Sequence, residues 1–185
     1  MSPAGWSTLS EETRIENPWW IYKRDRVILP SGNEGEYHYV DTPGSVMIVP
    51  VTSAGMLVMV RQYRYLNRRS SLEFPGGGIP RGLAPAEAAA RELQEEAGVE
   101  AAVLREVGVF NPFNGVTNEL CHVFVATGHR AVAPRPDETE DCEAVLLAPA
   151  ELRALVAAGE IWDGMTLAVL ALVAITAPDL VGIGP

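Results

Sequence analysis

Residues Glu73–Val99 read EFPGGGIPRGLAPAEAAARELQEEAGV, and this segment constrains the chain more than any other. A glycine-rich turn leads into a helical pattern running from about Pro85 to Ala97. Pro85 is tolerated in the first turn and Gly98 supplies the stop. Within that pattern Glu92, Glu95 and Glu96 lie at i, i+3 and i+4, so they share one helical face. Ala86, Ala89, Ala90, Leu93 and Ala97 make a small apolar stripe on the opposite side. The reading therefore expects a helix packed from behind, with its carboxylates repelling one another at the surface. Like charges at these spacings cost roughly 0.2–0.5 kcal/mol per pair. A hard divalent cation would remove that cost by accepting oxygen ligands. The pattern points to metal-dependent phosphate chemistry.

Composition narrows the alternatives. A chain of 185 residues is expected to form one domain, 1–185, with a core that needs no cross-links. Its net charge of −10 and lack of any basic, aromatic-interleaved run exclude a surface that coats nucleic acid. Phosphates must then be handled locally, by metal ions or a few arginines. Cys121 and Cys142 have no paired ligand spacing, so free thiols in a reducing cytoplasm are expected. The opening MSPAGWSTLSEET has neither a basic n-region nor an apolar h-region, and is read as no signal peptide. The most apolar late run, Met165–Ala177, has 13 residues and is too short to span a bilayer. No membrane partner is expected. His38, His122 and His129 lack mutual ligand spacing and do not suggest zinc.

Along the chain, residues 1–16 read as a frayed lead-in. Trp19–Leu29 is a strand ended by the Pro30–Asn33 turn, with Glu36–Val40 returning as its hairpin partner. Val46–Val51 and Met56–Arg61 flank a turn at 52–55. Both are nearly continuous apolar runs, as strands buried on both faces require. Further strands are expected at 103–110, 120–128 and 142–147, and helices from Pro149 to Gly159 and over 164–177. His129–Asp141 holds two prolines and the acidic run DETED, and reads as a loop. Strands before, between and after helices imply a mixed sheet covered by helices.

The segment 73–99 resembles the box of the Nudix hydrolase family. That box runs Gly, five residues, Glu, seven residues, then Arg-Glu-(aliphatic)-x-Glu-Glu-x-Gly-(aliphatic). Gly77 takes the first position and Arg91–Val99 matches the second half throughout, while Leu83 stands where the first box glutamate belongs. Arg61-Gln62-Tyr63-Arg64, Leu72–Gly77, Asp137–Asp141 and Gly159–Asp163 are similar to the ADP-ribose pyrophosphatase-like branch. The resemblance implies an α/β fold, the Nudix α/β/α sandwich with a mixed β-sheet and an N-terminal β extension. Residues 1–45 would form the extension and 46–185 the core.

For chemistry, the resemblance implies hydrolysis of the pyrophosphate bond of ADP-ribose or a related nucleoside diphosphate sugar. ADP-ribose would give AMP and ribose 5-phosphate. Mg²⁺ would be the cofactor, with Mn²⁺ able to substitute. Glu92 and Glu96 would be principal ligands, Glu95 would share a second ion, and the backbone carbonyl of Gly76 would be a further ligand. Glu138 is the choice for general base, with Glu140 second, as base partner or additional metal ligand. The box arginine, Arg91, loses its usual partner to Leu83, leaving Glu73 or Glu87 to pair with it. Arg64 would contact a substrate phosphate or anchor Glu73 by a salt bridge, and Glu119 would touch a ribose. Trp20 and Tyr37, in an aromatic N-terminal segment with Trp19 and Tyr22, would pack the hairpin, or enclose the base and join two copies into a homodimer. Leu83 also keeps open a second reading, a nucleotide-sugar binding or sensor module with weak catalysis.

Overall fold

The computed structural model describes residues 5–132 and 142–182. In chain order the elements are β1 (Ser7–Glu16), β2 (Ile21–Ile28), β3 (Glu34–Asp41), β4 (Ser45–Pro50), β5 (Leu57–Arg64), β6 (Arg69–Glu73) and β7 (Gly76–Gly78). Then follow α1 (Pro85–Ala97), β8 (Val99–Phe110), β9 (Cys121–Ala131), β10 (Glu143–Leu147), α2 (Pro149–Ala157), α3 (Gly164–Thr176) and α4 (Pro178–Val181). Contacts divide them into two units. Residues up to Gly44 go with Asn111–Leu120, and Ser45–Phe110 goes with the residues from Cys121 onward.

In the first unit, β1, β2 and β3 form an antiparallel sheet in that order. The β2–β3 hairpin turns at the expected Pro30–Asn33 segment, pairing Ile28 with Glu34 and Ile21 with Asp41. The lead-in expected over 1–16 is corrected for Ser7–Glu16, which is a full strand on β2. Its sequence is polar on both faces, so it shows no apolar alternation. Pairing comes from the backbone ladder and from cross-strand charges, Lys23 with Glu11 and Arg24 with Glu12.

The second unit has a mixed four-stranded sheet, order β7-β4-β9-β8, in which β4 and β9 run parallel and the outer pairs antiparallel. A second, antiparallel sheet has the order β10-β5-β6. Alternation along the two parallel strands sends side chains into two cores. Met47, Val49, Val51, Cys121, Val123 and Val125 meet β5 and the helices α2 and α3. Val46, Ile48, Phe124 and Ala126 meet α1. This is the expected mixed sheet between helices. The runs 46–51 and 56–61 pair as strands only at the isolated Val51–Leu57 bridge and enter different sheets, although their side chains share a core. Strands buried on both faces can be served by two layers, so the apolar runs alone do not specify a hairpin.

The expectation of an alanine stripe opposite the glutamates is corrected. The buried residues of α1 are Ala88, Ala89, Leu93 and Glu96, whereas Ala86 and Ala90 are exposed. Glu96 thus sits on the packed side, one turn beyond Glu92. The helix begins with Glu87 accepting the Ala84 N–H at 3.2 Å and ends on Gly98 at φ 62°, whose N–H returns to the Gln94 carbonyl. Leu93 anchors this layer at 1% exposure. Leu93→Ala is expected to cost ~2–5 kcal/mol, and Ala90→Gln on the exposed side less than ~0.5 kcal/mol, in paired urea unfolding curves. Equal midpoints would contradict this packing. Among the described residues no helix is long and apolar enough to cross a membrane.

Candidate active site

The glycine run reaches the helix through close backbone contact. Strand β7 pairs with β4 over Gly76–Gly78, and the Gly76 N–H donates to Glu96 Oε2 at 2.8 Å. A Cβ on Gly76 would fall 2.3 Å from the Val46 carbonyl oxygen and 2.7 Å from the Met47 sulfur. On Gly77 it would fall 2.6 Å from the Glu92 carboxyl carbon. Glycine here is a matter of space, letting the chain lie against two carboxylates of α1. At Gly78 a Cβ meets nothing within 4 Å. Gly76→Ala is therefore expected to lose ~1–3 kcal/mol of stability, as overpacking does, while Gly78→Ala stays near the parent. Thermal unfolding of the pair checks it, and matching losses would refute the close approach.

Glu96 is 6% exposed. Its second oxygen, Oε1, lies 3.9 Å from the Cys142 sulfur, which can donate weakly to it. Glu95 is turned to Arg91, whose Nε donates to Oε1 at 2.9 Å. The partners expected for Arg91 are therefore corrected. Glu73 is bonded to Arg64 and Glu87 caps α1, so the displaced box arginine is met by the next turn of its own helix. That i,i+4 pair is largely exposed on the arginine side and contributes little to stability.

Arg64 and Glu73 form a two-pronged pair. Arg64 Nε donates to Oε1 at 2.9 Å and Nη2 donates to Oε2, with Glu73 only 2% exposed. Hydrogen bonding to Glu73 holds the Arg64 guanidinium above its ordinary pKa, against desolvation, with Asp163 and Glu96 adding to it. Arg64 thus takes the salt-bridge position, and its Nη1 lies outside that pair.

In the first unit Tyr37 stands between Trp6, edge-on at 5.8 Å, and Tyr39 at 6.4 Å. Tyr37 and Tyr39 line a concavity of about 240 Å³ with Asn114, Val116, Thr117 and Asn118. The Trp20 backbone N–H donates to Asn17 Oδ1, and the residue is 38% exposed. Glu119 donates its backbone N–H to Thr117 Oγ1. Glu138 and Glu140 lie outside the described residues.

Among the described residues no three His, Cys, Asp or Glu side chains converge as a ready-made metal site. The donors that do come together are two carboxylates and the Gly76–Gly77 backbone, in a cradle that a Cβ would fill. The two carboxylates are hard oxygen donors, and they fit an ion that keeps several waters. Two participants were not read from the sequence. Cys142 reaches Glu96 across 46 positions, with no motif to announce it. Thr166, fully buried, accepts the Phe74 N–H at 3.3 Å and fixes the strand end before the glycines. The Asp163–Thr166 spacing signals a helix cap, and the cap is present at 2.7 Å.

A glycine-rich strand thus lies against paired glutamates on a sheet-packed helix. The sequence model of the NUDIX domain family matches residues 41–167, and the chain belongs to that family. It is 33% identical over 181 residues, 95% of its length, to the ADP-ribose pyrophosphatase of Mycobacterium tuberculosis (strain ATCC 25618 / H37Rv), covering 87% of that protein. It is 32% identical over 148 residues to the ADP-ribose pyrophosphatase of Bacillus subtilis (strain 168), covering 79% of this chain and 80% of the relative. A crystal structure of an ADP compounds hydrolase shares the fold, with a TM-score of 0.81, 24% identity and 94% of each chain covered. The chemistry of the chain is Nudix hydrolysis of a nucleoside diphosphate derivative.

Proposed function

We propose that this protein hydrolyses the pyrophosphate bond of ADP-ribose or a closely related nucleoside diphosphate sugar, releasing AMP and ribose 5-phosphate from ADP-ribose. The observation that carries the reading is the Gly76–Gly77 backbone lying against Glu96 and Glu92. The two relatives named ADP-ribose pyrophosphatase support the substrate class.

In this reading Glu92, Glu96 and the Gly76 carbonyl hold Mg²⁺ or Mn²⁺, with Glu95 contributing once Arg91 releases it. When bound, the ion supplies positive charge to the pyrophosphate oxygens. Arg64, kept charged and oriented by Glu73, offers a donor to a phosphate oxygen. Glu138 takes the proton from the attacking water, and Glu140 assists. Tyr37, Trp20 and Glu119 bind the nucleoside end, and the N-terminal strands join two copies of the chain in a homodimer in the cytoplasm. The Leu83 substitution weakens the ordering of Arg91 without deleting a carboxylate from the Glu92–Glu96 pair.

The deciding experiment is a substrate panel with Mg²⁺ and with Mn²⁺, products resolved by chromatography. ADP-ribose or another nucleoside diphosphate sugar is expected to turn over fastest. A preference for a nucleoside triphosphate, dinucleoside polyphosphate, capped RNA or coenzyme A would overturn the substrate assignment. Tight ADP-ribose binding with no turnover at high protein concentration would favour the sensor reading that Leu83 motivates.

A further inference from the structure

A second polar cavity, of about 370 Å³, opens on the β5–β6 hairpin beside the end of α2, with Arg61, Arg69, Ser70, Glu160 and Trp162 in its lining. Its size lies in the usual range for small-molecule sites, roughly 300–1,000 Å³. None of Arg64, Glu73, Glu92 and Glu96 lines this cavity. Arg61, Ser70 and Leu72 alternate to the face opposite Arg64 and Glu73, while Arg69, in register with Arg64, reaches it from the first position of β6. Four of the fourteen lysines and arginines fall within positions 61–69, a local concentration of positive charge in a chain of net charge −10.

The lining is organised. The Arg69 guanidinium lies 3.8 Å from the centroid of the Trp162 ring. That indole is itself held by an N–H donated to the Ser70 carbonyl at 3.4 Å. Stacking on an indole orients the guanidinium plane without using its N–H donors. Among the described residues Arg69 has no ion-pair partner. Arg61 has one, Glu143, at 3.6 Å and largely exposed, a contact of the kind an anion displaces at small cost. Two guanidiniums suit a phosphate. Glu160 repels an anion but accepts hydrogen bonds from hydroxyls, and an indole packs against the apolar face of a sugar ring.

We propose that this cavity binds a phosphorylated sugar, its phosphate on Arg61 and Arg69 and its hydroxyls toward Glu160. The test is ¹⁹F NMR of the full chain labelled with 5-fluorotryptophan, the Trp162 line being assigned by Trp162→Phe. Ribose 5-phosphate is the probe, added in the presence of a chelator so that divalent ions do not recruit it to Glu92 and Glu96. A saturable shift of the Trp162 line is expected. Binding should weaken at least ~10-fold in Arg69→Gln, in Arg61→Gln and when ribose replaces its phosphate ester. Unmoved lines from the other tryptophans establish that these variants stay folded, and Arg69→Lys, keeping charge without the planar stack, should fall between them and the parent. Glu96→Gln should bind as the parent does. No shift up to ~10 mM probe, equal shifts with ribose, or loss of binding in Glu96→Gln would each overturn the proposal.

Discussion

Replacing Glu138 by glutamine is expected to lower the single-turnover rate on ADP-ribose by ~10²–10⁴, the usual range for a positioned general base, while Mn²⁺ binding stays close to the parent's. The assignment comes from the match of Asp137–Asp141 to the acidic loop of the branch. A carboxylate with an ordinary pKa near 4 is a weak base, so its effect depends on being held over the attacking water. Glutamine keeps the shape and removes the proton acceptor. Unchanged activity in Glu138→Gln would move the role to Glu140.

Glu96→Gln and Glu92→Gln are each expected to reduce turnover at least ~100-fold with the fold retained, and to weaken Mn²⁺ binding, unlike Glu138→Gln. Glu96 is held by the Gly76 N–H at 2.8 Å, and an amide oxygen can accept that same bond. The substitution therefore removes a charge while keeping the contact that orders the strand. At position 92 the side chain lies against Gly77, and an amide of equal size occupies the same space. Glu95→Gln should be intermediate, because its carboxylate is engaged by Arg91. The measurement is single-turnover kinetics beside Mn²⁺ titration for the three variants. Parental activity in Glu96→Gln would sink the metal-site reading.

Much of this was legible in the chain because its signals are local. Pro85 and Gly98 mark both ends of α1 within the sequence itself, and the strand runs at 46–51 and 57–60 carry their burial in composition. What escaped depends on partners remote in sequence. Ser7–Glu16 is polar apart from Leu9 and Ile15, both exposed, and becomes a strand through β2. The short β7 is all glycine, with no propensity to read, and exists because β4 and Glu96 accept it. The helix face was misassigned because alanine tolerates either environment. Ala88 rather than Ala86 or Ala90 meets the sheet, a choice set by the contacts of Leu93 and by the glycine backbone against Glu96. Arg64 was read with two roles, and the buried Glu73 carboxylate decides where it rests.

The excursion Asn111–Leu120 carries a consequence for how this gene product can be cut or grafted. It leaves the core sheet after β8, joins the N-terminal unit, and returns as β9. There the Val40 N–H donates to the Val116 carbonyl at 2.9 Å, Thr42 N–H donates to Asn118 Oδ1 at 3.1 Å, and Asn118 Nδ2 donates to Asp41 at 2.6 Å. The N-terminal strands are therefore not a detachable module. A nick after Gly44 severs one of three crossings between the units and leaves two intact. Deleting the strands outright strips hydrogen-bond partners from a loop still anchored at both ends in the core. Any transplant of the extension onto another scaffold has to carry residues 111–120 with it as a second, discontinuous graft.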